Sequence, residues 1–177
     1  MKNIICCFIV FIMSSNTTFA QQVFETKSAK VQFISIDDRD IEATNNEVTS
    51  KLEPNGKLTF SMLSKGFHFD MKKMEEHFND EYIESNKFPN VFFNGQITNF
   101  KTINFSKNGS YPVTVTGTMQ VHGVNKNIQT NGIIEVINGL PKASAKFVVR
   151  LKEFGMGGIM INMVADKIEV NITASYK

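Results

Sequence analysis

The sequence predicts an all-β protein, an antiparallel barrel of about eight strands with one short amphipathic helix. Three observations predict it. Apolar and polar residues alternate over long stretches, turn signals separate these stretches, and a single segment shows helical spacing instead. Closure into a barrel is favoured over an open sheet, because closure pairs the edges that long regular strands otherwise expose.

Three stretches in the second half of the chain predict the clearest strands. Residues 113–122, 142–151 and 167–176 each place apolar or small side chains on one face and mostly polar ones on the other. That alternation is typical of a strand with one face in water. Side chains expected to face the barrel interior here include Val115, Met119, Phe147, Val149 and Val170.

The remaining strands show noisier alternation. We expect them at residues 29–36, 40–45, 57–63, 91–97 and 128–136. Turns rich in Asn, Gly and Pro separate several of them. The inward side chains expected from these strands include Phe33, Phe60, Met62 and Phe93.

One segment departs from the β pattern and predicts the helix. Met71, Met74, Phe78 and Tyr82 recur near helical spacing with charged residues between them, and Asp70 is the expected N-cap. The apolar stripe either packs against the barrel or caps one of its mouths, and the residues leave both interpretations open. The positions expected at the entrance or cap are Phe67, Met74, Phe78, Met156 and Ile159.

A glycine-rich apolar segment, residues 154–164, lies between two of the clearest strands. Its three glycines and its methionines make it conformationally adaptable. It forms either a lip at the barrel entrance or a short helix packed into the core. Its glycine spacing does not fit a phosphate-binding loop.

The N-terminal residues have the features of a signal peptide. Lys2 precedes an apolar run, Ile4 to Met13, that is shorter than the roughly 18 residues a transmembrane helix needs. Small residues precede an expected cleavage after Ala20. We therefore expect export to the periplasm or out of the cell, and a mature domain of residues 21–177 with no transmembrane segment.

Composition excludes several classes of function. Cys6 and Cys7 leave with the expected signal peptide, so the mature domain has no thiol for disulfides, catalysis or zinc binding. The net charge is +2 with both signs interspersed, which predicts neither nucleic acid nor an anionic membrane surface as a partner. The length is that of one domain, and no pattern predicts an oligomeric state.

No motif in the chain predicts catalysis or metal binding. His and acidic residues cluster near the predicted helix, but they lack the His-x-x-x-His spacing that places two ligands on one helical face. We interpret them as solvated helix polarity, and His122 as the donor or acceptor of a turn hydrogen bond beside Gly123. No enzyme, metal or cofactor is therefore predicted. The clustered residues are His68, Asp70, Glu75, Glu76 and His77.

The interior of an eight-stranded barrel is wide enough to be filled by side chains or to hold one small ligand. The inward faces mix large phenylalanines with the small residues Gly117, Ala143 and Ala145. Small residues on adjacent strands leave volume that large residues opposite need not fill. A filled core and a ligand cavity both stay open on this basis.

The segment Val115–Lys126 resembles the Gly-x-Leu-x-Ile-x-Gly-Val-x-Lys hairpin of the YceI-like family of exported, lipocalin-like proteins. Other landmarks follow in the family's order, among them residues 56–63, Phe88-Pro89 and residues 147–156. The resemblance spans essentially all of the mature chain. Met119 and Phe88 depart from the usual Leu and Tyr.

The resemblance implies an extended lipocalin-like barrel in the periplasm or outside the cell. Its apolar lumen would bind a polyisoprenoid, an isoprenoid quinone or a similar long-chain lipid as its ligand. The alternative hypothesis is a stress-related barrel with a filled core that acts as an interaction module.

Overall fold

The computed structural model describes residues 22–36, 41–156 and 166–177. Eight strands form a closed antiparallel barrel, which confirms the predicted fold class. Each strand pairs with the next along the chain, and the last strand pairs with the first. The strands are β1 (Phe24–Ser35), β2 (Glu42–Leu52), β3 (Lys57–Leu63), β4 (Asn90–Ile97), β5 (Gly109–Val121), β6 (Val124–Ile137), β7 (Leu140–Arg150) and β8 (Lys167–Ser175).

The predicted helix lies in the connection between β3 and β4, residues 64–89, which we call the cap connection. A short α-helix, α1 (Lys72–His77), continues directly into a π-helical turn over Phe78–Tyr82. Single 3₁₀ turns lie in three connections, at Ser64–Gly66, Phe100–Thr102 and Leu151–Phe154.

The predicted N-cap of α1 is wrong. Met71 occupies the N-cap position, and no side chain caps the helix there. Instead, the Glu75 carboxylate accepts a hydrogen bond from the Phe69 backbone N–H and lies beside the His68 ring Nδ1, each at 3.2 Å. Glu75 therefore links the first turn of the helix to the chain that precedes it, and does not cap the helix N–H groups as was expected of Asp70.

The first two strands are longer than the alternation predicts. The pairing of β1 with β2 shifts register between Thr26 and Ala29, and again between Ala29 and Val31. Such bulges insert an extra residue and break period-two alternation. The sequence pattern therefore misses the part of β1 before Ala29 and the part of β2 after Asn45.

The connections divide between two ends of the barrel. The upper end carries the cap connection, the β5–β6 turn and the segment that follows β7, and β1 ends and β2 begins there too; the lower end carries the β2–β3, β4–β5 and β6–β7 connections. The two-residue turns His122–Gly123 and Asn138–Gly139 have positive φ at both positions. Tight hairpins of type I′ require that backbone geometry.

Aromatic packing closes the lower end. Phe24 stacks on Phe105 with ring centroids 5.3 Å apart, and Phe100 lies 5.7 Å from Phe105. Tyr176 is buried nearby, with its hydroxyl 2.8 Å from Ser50 Oγ, and burial raises the pKa of Tyr176 to about 12. The barrel is therefore solid at this end.

Several predictions fall outside the described residues. They include the signal peptide, the cleavage after Ala20, Ile159 and most of the glycine-rich segment. Of that segment, residues 154–156 are described, and Phe154 and Met156 are buried. Within the described ranges, no helix has the length and apolar character needed to cross a membrane.

Candidate functional site

The upper part of the barrel contains a cavity of about 490 Å³. Its wall is built mainly of apolar side chains from β1, from β3 to β8 and from the cap connection. The volume falls within the range of roughly 300 to 1,000 Å³ that is typical of small-molecule sites. The geometry is thus that of a binding cavity.

Every position predicted to face the lumen lines this cavity: Phe33, Phe60, Met62, Phe93, Val115, Met119, Phe147, Val149 and Val170. Of the predicted entrance residues, Phe67, Met74, Phe78 and Met156 also line it, whereas Ile159 lies outside the described residues. Contact between these side chains and a ligand stays a prediction.

The sequence pattern misses part of the cavity wall. Phe69 and Ile83 line the cavity from either side of the helical segment. Phe69 follows Phe67 at a period of two, and that local alternation is the signal that could have identified it. For β6 the sequence predicts a strand but does not indicate which of its side chains face inwards. In the structure, Ile128 and Thr130 of this strand line the cavity.

Four phenylalanines attach the cap connection to the barrel. Phe33 on β1 meets Phe67, Phe69 and Phe78 in a cluster whose contacting rings have centroids 5.1 to 5.9 Å apart. These tilted and edge contacts are favourable aromatic geometries. Phe78 both packs on β1 and lines the cavity, so the helical stripe combines the two interpretations left open above.

Phe93 takes the volume expected beside Gly117. Gly117 lies opposite Gly95 in the β4–β5 register, and a Cβ on Gly117 would come within 2.7 Å of Cζ of Phe93. The ring therefore lies over the glycine pair, which only glycine permits. The small residue of β5 accommodates an aromatic ring and leaves no open space.

Open volume lies instead beside β6 and β7. Gly132 pairs with Ala145 and Ile134 pairs with Ala143, and all four residues line the cavity. Because three of these side chains are small or absent, the cavity extends to the barrel wall on this side. Here the expectation that Ala143 and Ala145 leave space agrees with the structure.

Polar groups on the cavity wall concentrate at the cap connection. Lys73, His77 and Tyr82 line the cavity from there, and the Nδ1 of His77 lies 3.0 Å from Oε1 of Glu81. Burial, followed by the charge of Glu81, raises the pKa of Tyr82. Over the described residues, no Asp or Glu lines the cavity. The strands contribute only hydroxyl groups, from Ser35, Thr130 and Ser144.

The histidines near α1 pair with separate glutamates. His68 Nδ1 lies 3.2 Å from Glu75 Oε2, and His77 pairs with Glu81. Since each histidine has its own partner, the two pairs do not converge on one point. In the described part of the chain, no group of three or more His, Cys, Asp or Glu residues could hold a metal ion.

His122 links three connections at the upper end. Its Nε2 lies 2.7 Å from Glu84 Oε2, and its Nδ1 lies 3.3 Å from the carbonyl oxygen of Phe154. Its ring also packs on Phe88, with centroids 4.2 Å apart. The sequence predicts a hydrogen bond within the turn, whereas the observed partners belong to the two neighbouring connections.

Comparison with known proteins relates this arrangement to one family. A family model described as a YceI-like domain matches residues 14–176. No curated protein sequence matches the chain significantly.

Solved structures share the fold at low sequence identity. A polyisoprenoid binding domain from Saccharophagus degradans, implicated in plant cell wall breakdown, aligns with a TM-score of 0.74 at 10% identity, covering 89% of this chain and 98% of that one. BcnA from Burkholderia cenocepacia gives 0.68 at 14% identity, with coverages of 84% and 96%. A YceI protein from Campylobacter jejuni gives 0.52 at 20% identity, with coverages of 68% and 72%.

Proposed function

Because the chain belongs to the YceI-like domain family, we propose that it binds an elongated apolar lipid inside its barrel. The proposed ligand is a polyisoprenoid, an isoprenoid quinone or a similar long-chain lipid. The observation that carries the proposal is the apolar cavity of about 490 Å³. The similarity to a structure described as a polyisoprenoid binding domain supports it.

The wall chemistry favours a ligand that is apolar along its length. Each methylene transferred from water to such a wall contributes about 0.8 kcal/mol. A carboxylate or ammonium group placed deep among these side chains would lose its hydration without gaining a partner. The polar end of the lipid therefore lies towards Lys73, His77 and Tyr82 at the cap connection.

Large side chains on opposite walls form the proposed contacts with the lipid. Phe60 and Met62 on β3 lie across the lumen from Phe147 and Val149 on β7. Met74 and Phe78 cover the upper end from the cap connection. A barrel with a filled core, the alternative interaction module, would leave no cavity of this size.

The proposal includes export before binding. The predicted signal peptide would be removed after Ala20, and the domain would then bind its lipid in the periplasm or outside the cell. Binding of this kind requires neither a metal nor a cofactor.

Mass spectrometry of an organic-solvent extract tests the proposal directly. The protein is purified from its own host, and an unrelated exported protein purified in parallel measures the background lipid. We expect a lipid in stoichiometric amount. No co-purifying lipid, together with no saturable uptake of isoprenoid quinones or polyprenols by the delipidated protein, would contradict the proposal.

A further inference from the structure

Strands β6 and β7 pair over only the lower part of their shared wall. Their register runs from Ile137 opposite Leu140 to Gly132 opposite Ala145, and there it stops. Both strands nevertheless continue towards the upper end, β6 to Val124 and β7 to Arg150. Over that length β6 stays paired with β5, and β7 stays paired with β8.

The unpaired stretch is a gap in the hydrogen-bonded wall of the barrel, which we call the window. Its borders are residues 124–131 of β6 and 146–150 of β7. Among the residues that the structure describes, no strand pairs with either border across the gap. Each border is therefore equivalent to a sheet edge inside an otherwise closed barrel.

Contacts at the upper end bound the window from above. His122 Nδ1 lies 3.3 Å from the carbonyl oxygen of Phe154, and a Cβ on Gly155 would lie 3.7 Å from Cγ2 of Val124. The β5–β6 turn thus contacts the chain that follows β7. The paired lower half of the hairpin bounds the window from below.

The cavity reaches this window. Ile128 and Thr130 on one border, and Phe147 and Val149 on the other, all line it. Ile133, whose strand position faces outwards, also borders the cavity. Ile133 pairs with Ser144 just below the window, so the four border residues are what bring the cavity to the window.

The outer surface beside the window is mixed, because the outward side chains of the β6 border are exposed amides, at Asn125, Asn127, Gln129 and Asn131, whereas apolar side chains are exposed on β7 and just below the window on β6. Ile133 on β6 is 45% exposed, and Val148 on β7 is 56% exposed. The neighbouring cations are paired locally, since Lys146 Nζ lies 2.9 Å from Glu169 Oε1 and an Arg150 nitrogen lies 3.7 Å from an Asp166 oxygen. The rim thus presents uncharged amides on β6 and, on β7, the apolar Val148 between two paired cations to a molecule that crosses it.

Packing closes the lower end of the barrel axis and, at the upper end, the side next to β1. The lower end is closed by the stacked rings of Phe24 and Phe105. At the upper end, a route between the cap connection and β1 would have to separate the phenylalanine cluster around Phe33. A lateral route disturbs neither cluster.

We propose that the window between β6 and β7 is the port through which the lipid enters and leaves the cavity. The inference rests on the proposed lipid-binding function and adds the route to it. An elongated chain crosses sideways past Val148 between the two borders, so its segments reach the apolar side chains of Ile128, Phe147 and Val149 one after another. The occupant of the window is the lipid chain itself.

Bridging the window chemically tests the port. Gln129→Cys and Val148→Cys, introduced together with Cys6→Ser and Cys7→Ser, lie opposite each other when the β6–β7 register is extended upwards. A flexible bismaleimide joins the two thiols, and unbridged molecules are removed on a thiol resin. The matched control places Glu135→Cys and Lys142→Cys, which are register partners in the paired half of the same hairpin, in the same background.

Stopped-flow fluorescence then measures the association and dissociation of parinaric acid, a polyene fatty acid that emits in apolar surroundings. Each bridged protein is compared with the same variant before bridging. We expect the bridge across the window to slow both rates by about tenfold or more, while the dissociation constant changes little because entry and exit share the port. The control bridge is expected to change either rate by less than about twofold.

Unchanged rates across the bridged window, or equal slowing by the control bridge, would overturn the port. Failure of the unbridged protein to bind parinaric acid, isoprenoid quinones or polyprenols in a saturable way would instead overturn the lipid-binding function. The two failures are therefore distinguishable.

Discussion

The Nε2 of His122 lies 2.7 Å from Oε2 of Glu84, and this contact joins the β5–β6 turn to the end of the cap connection. Lys87 Nζ lies 3.6 Å from the other carboxylate oxygen. The hydrogen bond from His122, with a smaller effect from the charge of Lys87, holds the pKa of Glu84 below its usual value. Glu84 also has a positive φ of 44°, so tertiary contacts stabilise an otherwise unfavourable backbone conformation.

Replacing Glu84 should show how much the contact with His122 contributes to stability, because that contribution depends on pH. Because the pKa of Glu84 is lower in the folded state, its stabilising effect is present above the usual carboxyl pKa and is lost as the pH falls through the lowered one. We expect Glu84→Gln to lower the melting temperature near neutral pH. The difference from wild type should shrink between about pH 5 and about pH 3, as measured by circular dichroism.

The control for this prediction removes the partner. Asn tolerates positive φ, so His122→Asn preserves the turn, in which His122 has a φ of 52°. In that background Glu84→Gln should have a smaller effect, giving a measurable coupling in a double-mutant cycle. Equal effects of Glu84→Gln in both backgrounds, or a difference that does not change with pH, would show that the pair does not act as described.

The apolar wall predicts a strong dependence of affinity on ligand length. One isoprene unit of five carbons contributes roughly 4 kcal/mol, at about 0.8 kcal/mol per methylene. Association alone costs roughly 4 to 15 kcal/mol, so a single unit should not bind measurably. Competition against parinaric acid measures affinity along a series of isoprenoid alcohols. Equal affinity for one unit and for about eight units would be incompatible with a long apolar lumen.

Tyr176 predicts a loss of stability at high pH. Its pKa rises from 10.0 to about 12 on folding because burial penalises the phenolate. The folded state thus retains a proton that the unfolded state has released, so stability falls as the pH rises from about 10 to about 12. At about 1.4 kcal/mol per pKa unit the full loss is about 3 kcal/mol. Urea unfolding at a series of alkaline pH values measures it.

Tyr176→Phe is the matched variant. The Ser50 hydroxyl donates to the Thr59 carbonyl at 3.0 Å and so keeps a partner after the substitution. We expect a loss of about 0.5 to 1.5 kcal/mol near neutral pH, and a shallower decline above pH 10 or so, because the variant has no phenol to ionise. Parallel pH profiles for the two proteins would mean that Tyr176 does not cause the alkaline loss.

The sequence predicts the barrel well because a strand with one face in the core and one in solvent requires apolar and polar residues to alternate with a period of two. In β7, Phe147 and Val149 line the cavity whereas Val148 is exposed, as the alternation predicts. The same principle fails where bulges occur, so the start of β1 before Ala29 is missed. A period-two pattern does not indicate where an extra residue is inserted into a strand.

The cavity is less predictable, because its shape depends on contacts between residues that are distant in the sequence. The ring of Phe93 fills the space over Gly117. This contact depends on the β4–β5 register, so the sequence of neither strand alone predicts it. The window is similar. Thr130 and Phe147 alternate with their neighbours as paired residues do, so the pattern does not show where β6 and β7 separate.

Substituting Val115 with Phe separates an open lumen from a filled core. Val115 lies on β5, lines the cavity and is 7% exposed. In a close-packed core the larger side chain would cost roughly 1 to 3 kcal/mol through strain. Because the ring can occupy the cavity instead, we expect delipidated Val115→Phe to be as stable as wild type or slightly more stable, while its lipid capacity falls. Urea unfolding and saturation binding of a polyprenol measure the two quantities.

Val136→Phe is the matched control, because it adds the same volume in the closed lower part of the barrel. Val136 is 1% exposed and lies opposite Gly109 and Pro141. It has no adjoining cavity to receive the ring, so this variant should lose about 1 to 3 kcal/mol of stability while its folded fraction keeps its lipid capacity. The two variants therefore predict opposite pairs of outcomes. If Val115→Phe were as destabilised as Val136→Phe and still bound lipid normally, Val115 would lie in a solid core, and the lumen would not extend past it.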